Sequence, residues 1–302
     1  MAWSLSTSSA TGSFADKNVG TGKTVTITGT GTGAATTQTF GAIAITPDGS
    51  GTSTLKLAGS NIITSAAVTA NVIDASALTG SATFLNTSAV NLTSILGGPN
   101  ADTLVGDASS SINGGAGNDT ITGGSGNDTL LGGAGDDQIT TSGGAGDSVD
   151  GGAGNDTIIA TLTAGNTIVG GAGTDTLSLA AAATASTAQG VSGFERLLYT
   201  EAGGTQSLAV FLDNSTFDRV IAGVATTTFT NAANTVTTLA TNAARTATTF
   251  SRLVDTTSNS LTVEISTATT LATLTADNEE TITVTSSDTG TATVIPPFLT
   301  DA

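Results

Sequence analysis

Apolar and polar residues alternate with a period of two through short stretches such as Thr24-Val25-Thr26-Ile27-Thr28, Leu55-Lys56-Leu57, Val236-Thr237-Thr238-Leu239, Leu261-Thr262-Val263-Glu264-Ile265 and Thr281-Ile282-Thr283-Val284-Thr285. That period sends successive side chains to opposite faces of a strand. Gly, Asn, Asp or Ser interrupts each run after a few residues, as turns require. The pattern predicts an all-β chain of short strands. Ala180 to Ala188 is the one helix candidate, and its interleaved Thr and missing caps suit a loop equally well.

A fixed internal period organises the middle of the chain. Gly114-Gly115-Ala116-Gly117-Asn118-Asp119-Thr120-Ile121-Thr122 is followed without a gap by GGSGNDTLL from Gly123 and GGAGDDQIT from Gly132. Further copies start at Gly151 and Gly170, and a looser one at Gly97. Two units are irregular: Gly106 to Asn113 is one residue short, and Gly143 to Asp150 carries Asp147 one position early. Each position has a physical reason. Glycines permit the positive φ of a tight six-residue turn, Asp supplies a hard anionic oxygen, and the Ile or Leu at position eight points inward with Thr on either side facing out.

This nonapeptide, G-G-x-G-x-D-x-U-x with U a large aliphatic, resembles the calcium-binding repeat of RTX proteins. The resemblance implies a parallel β-roll or β-helix in which one full turn takes two nonapeptides and alternate loops stack on the same side. Sorted this way, one edge carries Asp102, Asp119, Asp137, Asp156 and Asp175, at spacings of 17, 18, 19 and 19 residues. The other carries Asp107, Asp128, Asp147 and, in a degenerate unit near Gly165, Asn166. The first edge is expected to be the better calcium ladder. The resemblance assigns several Ca2+ ions to Asp102, Asp119, Asp128, Asp137, Asp147, Asp156 and Asp175, with the turn glycines Gly115, Gly117, Gly124, Gly126, Gly133, Gly135, Gly152 and Gly154. Three regions follow: 1–96, a Thr-rich β region leading into the solenoid; 97–178, the β-roll; and 179–302, a second β region.

Composition narrows the chemistry. Zero Cys and zero His exclude disulfides, thiolate or imidazole zinc sites and Ser-His or Cys-His nucleophile pairs. Seven Lys+Arg against 24 Asp+Glu give a net charge of −17, which argues against nucleic acid as a partner. Between Lys56 and Arg196 there is no basic residue. Stacked aspartates one strand spacing apart, roughly 4.8 Å, therefore need another counterion, and folding is expected to couple to calcium. No stretch approaches the roughly 18 apolar residues of a membrane span. The opening Met1-Ala2-Trp3-Ser4-Leu5-Ser6 has neither the basic nor the apolar region of a cleavable signal. Type I secretion, the route the resemblance implies, accounts for an extracellular location without such a signal.

The flanks add weaker matches. Val72-Ile73-Asp74-Ala75-Ser76-Ala77-Leu78-Thr79-Gly80, Phe84 and Val90-Asn91-Leu92 read as solenoid rungs, and the wording from Asp74 is similar to segments preceding RTX arrays in bacterial surface-layer proteins. Residues 12–20 are similar to a phrase of large repetitive adhesins. Gly190-Val191-Ser192-Gly193-Phe194-Glu195-Arg196-Leu197 resembles a rung that follows RTX blocks, and Glu195 is assigned no chemistry. From Leu208 to Val294 the runs predict either a continued β-helix or a small sandwich. The scattered Phe residues read as core plugs or end caps, and Pro296 to Ala302 as part of a secretion signal or a docking arm.

The chain is thus read as a secreted, calcium-dependent, self-assembling structural protein of a surface layer, sheath or filament. Its partner is a copy of itself, with a cell-surface polysaccharide as candidate anchor. The alternative is an adhesin or ligand-binding module with the β-roll as rigid extender. An enzyme is not expected. RTX rolls accompany proteases and lipases, but their H-E-x-x-H and Ser-His chemistry needs His. Glu195, Glu201, Glu264, Glu279 and Glu280 leave carboxylate chemistry open by composition alone, and the adjacent Glu279 and Glu280 would face opposite ways on a strand.

Overall fold

In the computed structural model, the chain is described at residues 23–29, 37–40, 43–44, 53–60, 62–65, 68–85, 94–107, 109–200, 204–214, 216–222, 226–241, 247–252, 259–265, 274–277, 279 and 281–286. The opening residues 12–20, Val90-Asn91-Leu92, Glu201, Glu280, Phe14, Phe298 and the terminal segment 296–302 lie outside them. Two compact units make up the chain, Met1–Asp156 and Thr157–Ala302.

In the first unit Ile43–Ala44 and Val68–Thr69 pair as a two-stranded parallel sheet, and the other strands drop in turn into two long parallel sheets. One contains, in order, Lys23–Gly29, Ser53–Gly59, Val72–Leu78, Ser94–Leu96, Ser111–Ala116, Thr129–Ala134 and Ser148–Ala153. The other contains Thr37–Phe40, Ile62–Ser65, Ala82–Leu85, Thr103–Val105, Thr120–Thr122 and Gln138–Thr140. The chain therefore winds as a β-solenoid, with Thr103 beside Thr120 and Thr120 beside Gln138. Two nonapeptides make one turn, as the resemblance implies.

The core is thin. Each strand of a repeat contributes one fully buried aliphatic: Leu104, Ile121 and Ile139 stack on one sheet, Ile95, Ile112, Leu130 and Val149 on the other. The flanking Thr120 and Thr129 are exposed, so the alternation read in the sequence is the inside–outside alternation of the strand. A two-layer core of this width admits one large side chain per strand. The low aromatic content suits it.

The second unit resolves the choice left open for the C-terminal region. Thr157–Ala160, Thr176–Leu179, Arg196–Tyr199, Arg219–Ala222, Thr238–Thr241, Ser260–Ile265 and Thr281–Ser286 form one parallel sheet, so the strands continue a solenoid and do not make an antiparallel sandwich. Another parallel sheet contains Gly204–Ser207, Thr226–Ala232, Ala247–Arg252 and Leu274–Asp277. Its inward Phe229 and Phe250 are neighbours in register, and Phe229 meets Tyr199 of the facing sheet with ring centroids 6.0 Å apart. Phe84, Phe194, Phe211 and Phe217 are also buried, which makes these phenylalanines core plugs. Among the described residues the only helix is the short 3-10 turn Leu208–Val210; 180–188 is irregular.

Candidate metal centre

Every intact repeat turn delivers its aspartate to the residue just before a strand. In the first unit Asp102, Asp119, Asp137 and Asp156 occupy this slot on one edge, and all are at most 3% exposed. Each carboxylate reaches back one rung. Asp119 Oδ1 accepts the Asp102 N–H at 2.7 Å, Asp137 Oδ1 accepts the Asp119 N–H at 2.7 Å, and Asp156 Oδ1 accepts the Asp137 N–H at 2.8 Å. Asp102 Oδ1 does the same for Ala82 N–H at 2.6 Å. The sheet therefore ends, on this edge, in a continuous ladder of carboxylates bonded to main-chain amides.

The other edge holds Ser110, Asp128 and Asp147 in the equivalent slot. Ser110 N–H donates to Asp128 Oδ1 at 2.7 Å, and Asp128 N–H to Asp147 Oδ1 at 3.0 Å. The ladder position expected for Asp107 thus belongs to Ser110. Asp107 instead lies at the second position of its turn: a Cβ on Gly124 would stand 1.9 Å from the Asp107 carbonyl oxygen, as one on Gly133 would stand 2.1 Å from that of Gly115. The eight-residue unit drops one loop residue and keeps its strand in register. Asp147, one position early in sequence, reaches its slot for the same reason.

In the second unit Asp175 and Asn166 occupy slots before Thr176–Leu179 and Thr167–Ala172 and are buried. Here a residue outside the repeat continues the ladder: Glu195 Oε2 accepts the Asp175 N–H at 2.7 Å. Glu195 precedes Arg196, which is in register with Thr176, so it fills the aspartate slot of the following rung.

The eight glycines expected at the metal turns, Gly115, Gly117, Gly124, Gly126, Gly133, Gly135, Gly152 and Gly154, all have φ between +103° and +141°. Other glycines matter for a reason that periodicity alone does not show. The first glycine of each turn leaves the volume its own carboxylate enters: a Cβ on Gly114 would lie 2.2 Å from Asp119 Oδ2, and one on Gly132 2.4 Å from Asp137 Oδ2. An outer ladder also runs along the exposed position before the aspartates. Asn118 Oδ1 accepts the Asp136 N–H at 3.0 Å, and Asp136 Oδ1 accepts the Asn155 N–H at 2.7 Å. It hands each side chain forward by one rung where the inner ladder hands it back.

Burial governs the electrostatics. It pushes the Asp119 carboxyl up to about 7, with the neighbouring Asp102 and Asp137 adding to the rise and the Asp102 amide opposing it. Burial likewise raises Asp128 and Asp156 to about 6, and raises Asp102 and Asp137. Without metal the ladder is thus neutralised in part by protons, a counterion that charge counting alone overlooks.

The donor set fits a hard dication. Asp119 Oδ2 and Asp137 Oδ2 are buried and accept no hydrogen bond, an arrangement that costs free energy unless something positive meets them. Among the described residues no three acidic side chains converge, so an interval flanked by two aspartates offers at most two carboxylates and needs turn carbonyls or water to complete the six to eight oxygens calcium takes. When bound, calcium supplies a charge that binds adjacent turns and lets the aspartates ionise.

The family model of the RTX calcium-binding nonapeptide repeat, in four copies, matches residues 109–139 and 141–177. No curated protein matches the chain. Asp102 and Glu195 lie outside the matched residues, yet the carboxylate of each accepts a main-chain N–H of the preceding rung, as the ladder aspartates do. The aspartate ladders are those of an array of RTX calcium-binding nonapeptide repeats folded as a parallel β-solenoid, which binds several calcium ions.

Proposed function

We propose that this protein is a secreted structural protein that assembles with copies of itself into a surface layer, sheath or extracellular filament when calcium is present. Asp102, Asp119, Asp128, Asp137, Asp147, Asp156 and Asp175 supply the carboxylates, and the turn glycines allow the backbone to approach the ion. The observation that carries the reading is the stack of buried aspartates, whose unpartnered oxygens at Asp119 and Asp137 call for a cation. At low calcium the array holds protons or stays loose; at extracellular calcium it folds. On this reading 97–178 is the calcium-dependent part and the regions 1–96 and 179–302 carry the contacts.

Self-assembly by strand addition is supported by Thr281–Ser286, the outermost strand of its sheet among the described residues, with Thr281, Thr283 and Thr285 exposed. Head-to-tail contacts of this kind extend without closing. No helix among the described residues is long and apolar enough to cross a membrane. A polysaccharide of the cell surface is the proposed anchor.

Negative-stain microscopy of the protein in chelator and in millimolar calcium tests the reading. Regular sheets or filaments are expected only with calcium. Dispersed monomers in both would overturn the assembly reading.

A further inference from the structure

The two edges of the first unit differ in a way that bears on how many ions the chain takes. On one edge three successive intervals are each flanked by two aspartates: Asp102 and Asp119, Asp119 and Asp137, Asp137 and Asp156. On the other edge a single interval, Asp128 and Asp147, has this property, because the rung before Asp128 presents Ser110.

Ser110 mimics the ladder without its charge. It is 3% exposed, and its N–H makes the 2.7 Å bond to Asp128 Oδ1 that an aspartate N–H makes elsewhere. Its hydroxyl accepts the Asp107 N–H at 3.0 Å, closing the shortened turn much as Asp102 Oδ2 accepts the Gly98 N–H at 2.7 Å in the looser copy that opens the array. The contrast with the inner rungs is sharp, for Asp119 Oδ2 and Asp137 Oδ2 accept nothing. The cradle for a carboxylate persists all the same. Gly106 stands where Gly114 and Gly132 stand in intact turns, and a Cβ on it would lie 2.6 Å from Ser110 Oγ.

We propose that Ser110 is a neutral rung that withholds calcium from the interval between it and Asp128, so that the two edges of the first unit load unequally. This interval has one carboxylate in a ladder slot where its neighbours have two, the Asp107 carboxylate lying instead against the Ser110 hydroxyl that donates to its Oδ1 at 3.4 Å, and ligand charge count tunes the affinity of an oxygen site for calcium. The hydroxyl is already engaged by a turn amide. The stack is held at this rung by hydrogen bonds that need no metal. The proposal rests on the calcium reading above and deepens it.

Equilibrium dialysis of the full chain against calcium, with bound metal counted by atomic absorption, tests it. Ser110→Asp is expected to bind one ion more per chain than the wild type, and Asp107→Asn the same number as the wild type. Ser110→Ala keeps the wild-type count while lowering the melting temperature in chelator, a result that does not depend on whether the aspartate variant folds. A Ser110→Asp count equal to wild type, or one ion lost in Ser110→Ala or Asp107→Asn, overturns the proposal while leaving the calcium reading intact. A wild type that binds no calcium at all overturns both.

Discussion

The main-chain N–H of Asp175 donates to Glu195 Oε2 at 2.7 Å, which makes a glutamate outside the nonapeptide repeat the acceptor for the last repeat aspartate of the second unit. Asp175 is fully buried, so its amide would otherwise lack the partner that each ladder aspartate has. The carbonyl of Glu195 in turn accepts the N–H groups of Asp218 at 2.9 Å and Arg219 at 3.2 Å. Glu195 is thus the joint between the repeat turn and the strands that follow.

Glu195→Ala removes that acceptor and is expected to cost about 1–3 kcal/mol, the range for stranding a buried donor. Glu195→Gln keeps an acceptor oxygen and should stay near wild type. Hydrogen exchange at the Asp175 amide reads the difference directly. Equal protection in the wild type and Glu195→Ala would show that the bond contributes nothing.

The raised carboxyls set an unusual pH dependence for the metal-free first unit. Asp119 at about 7 and Asp128 and Asp156 at about 6 hold protons that an unfolded chain, with carboxyls near 3.9, has already released. The unfolded state binds fewer protons in this window, so the stability these groups contribute is present at low pH and is lost as pH rises through about 6 to 7. In chelator the melting temperature is expected to be lower at pH 7.5 than at pH 5. In calcium the order reverses, because the ion competes with those protons. A metal-free melting temperature that climbs over the same range would contradict the assignment.

Asp137→Asn should change sign with calcium. The amide oxygen still accepts the Asp119 N–H, while the buried carboxylate and its charge give way to a neutral amide. Stability in chelator at neutral pH is expected to rise by on the order of 1 kcal/mol, the scale of one buried polar group. Stability in millimolar calcium is expected to fall below wild type. Thermal melts under the two conditions check both signs.

Two glycine substitutions separate backbone strain from close approach. Gly165 has φ of +96°, and a Cβ added there would meet no atom within 4 Å, so Gly165→Ala should cost about 1–2 kcal/mol, the left-handed penalty alone. Gly133 has φ of +116°, and a Cβ there would lie 2.1 Å from the Gly115 carbonyl oxygen of the adjacent turn. Gly133→Ala must push two turns apart and is expected to lose cooperative melting of the first unit. Similar melts for the two variants would show that the stacked turns yield easily.

Much of this fold is local information. Ile121 and Ile139 point inward because a strand alternates faces, and Gly115 and Gly133 sit in the left-handed region because a tight turn demands it; both follow from a nine-residue window. The turn of two nonapeptides, and hence the company of Asp119, Asp137 and Asp156, came instead from the resemblance that the repeated motif carries.

What each slot contains is another matter. Asp107 looks like a ladder residue in sequence, yet main-chain pairing places Ser110 beside Asp128, and the shortened turn absorbs the missing residue. Glu195 looks like a solvated strand residue, yet pairing of Arg196 with Thr176 places it beside Asp175. The outer ladder of Asn118, Asp136 and Asn155 joins residues 18 and 19 positions apart. Residues a few positions apart suffice to specify the repeat, its inward aliphatics and its taste for a hard cation, so these can be read along the chain. Which oxygen faces which amide is settled in three dimensions, because register is set by hydrogen bonds between rungs 17 to 20 residues apart and loops adjust their length to preserve it.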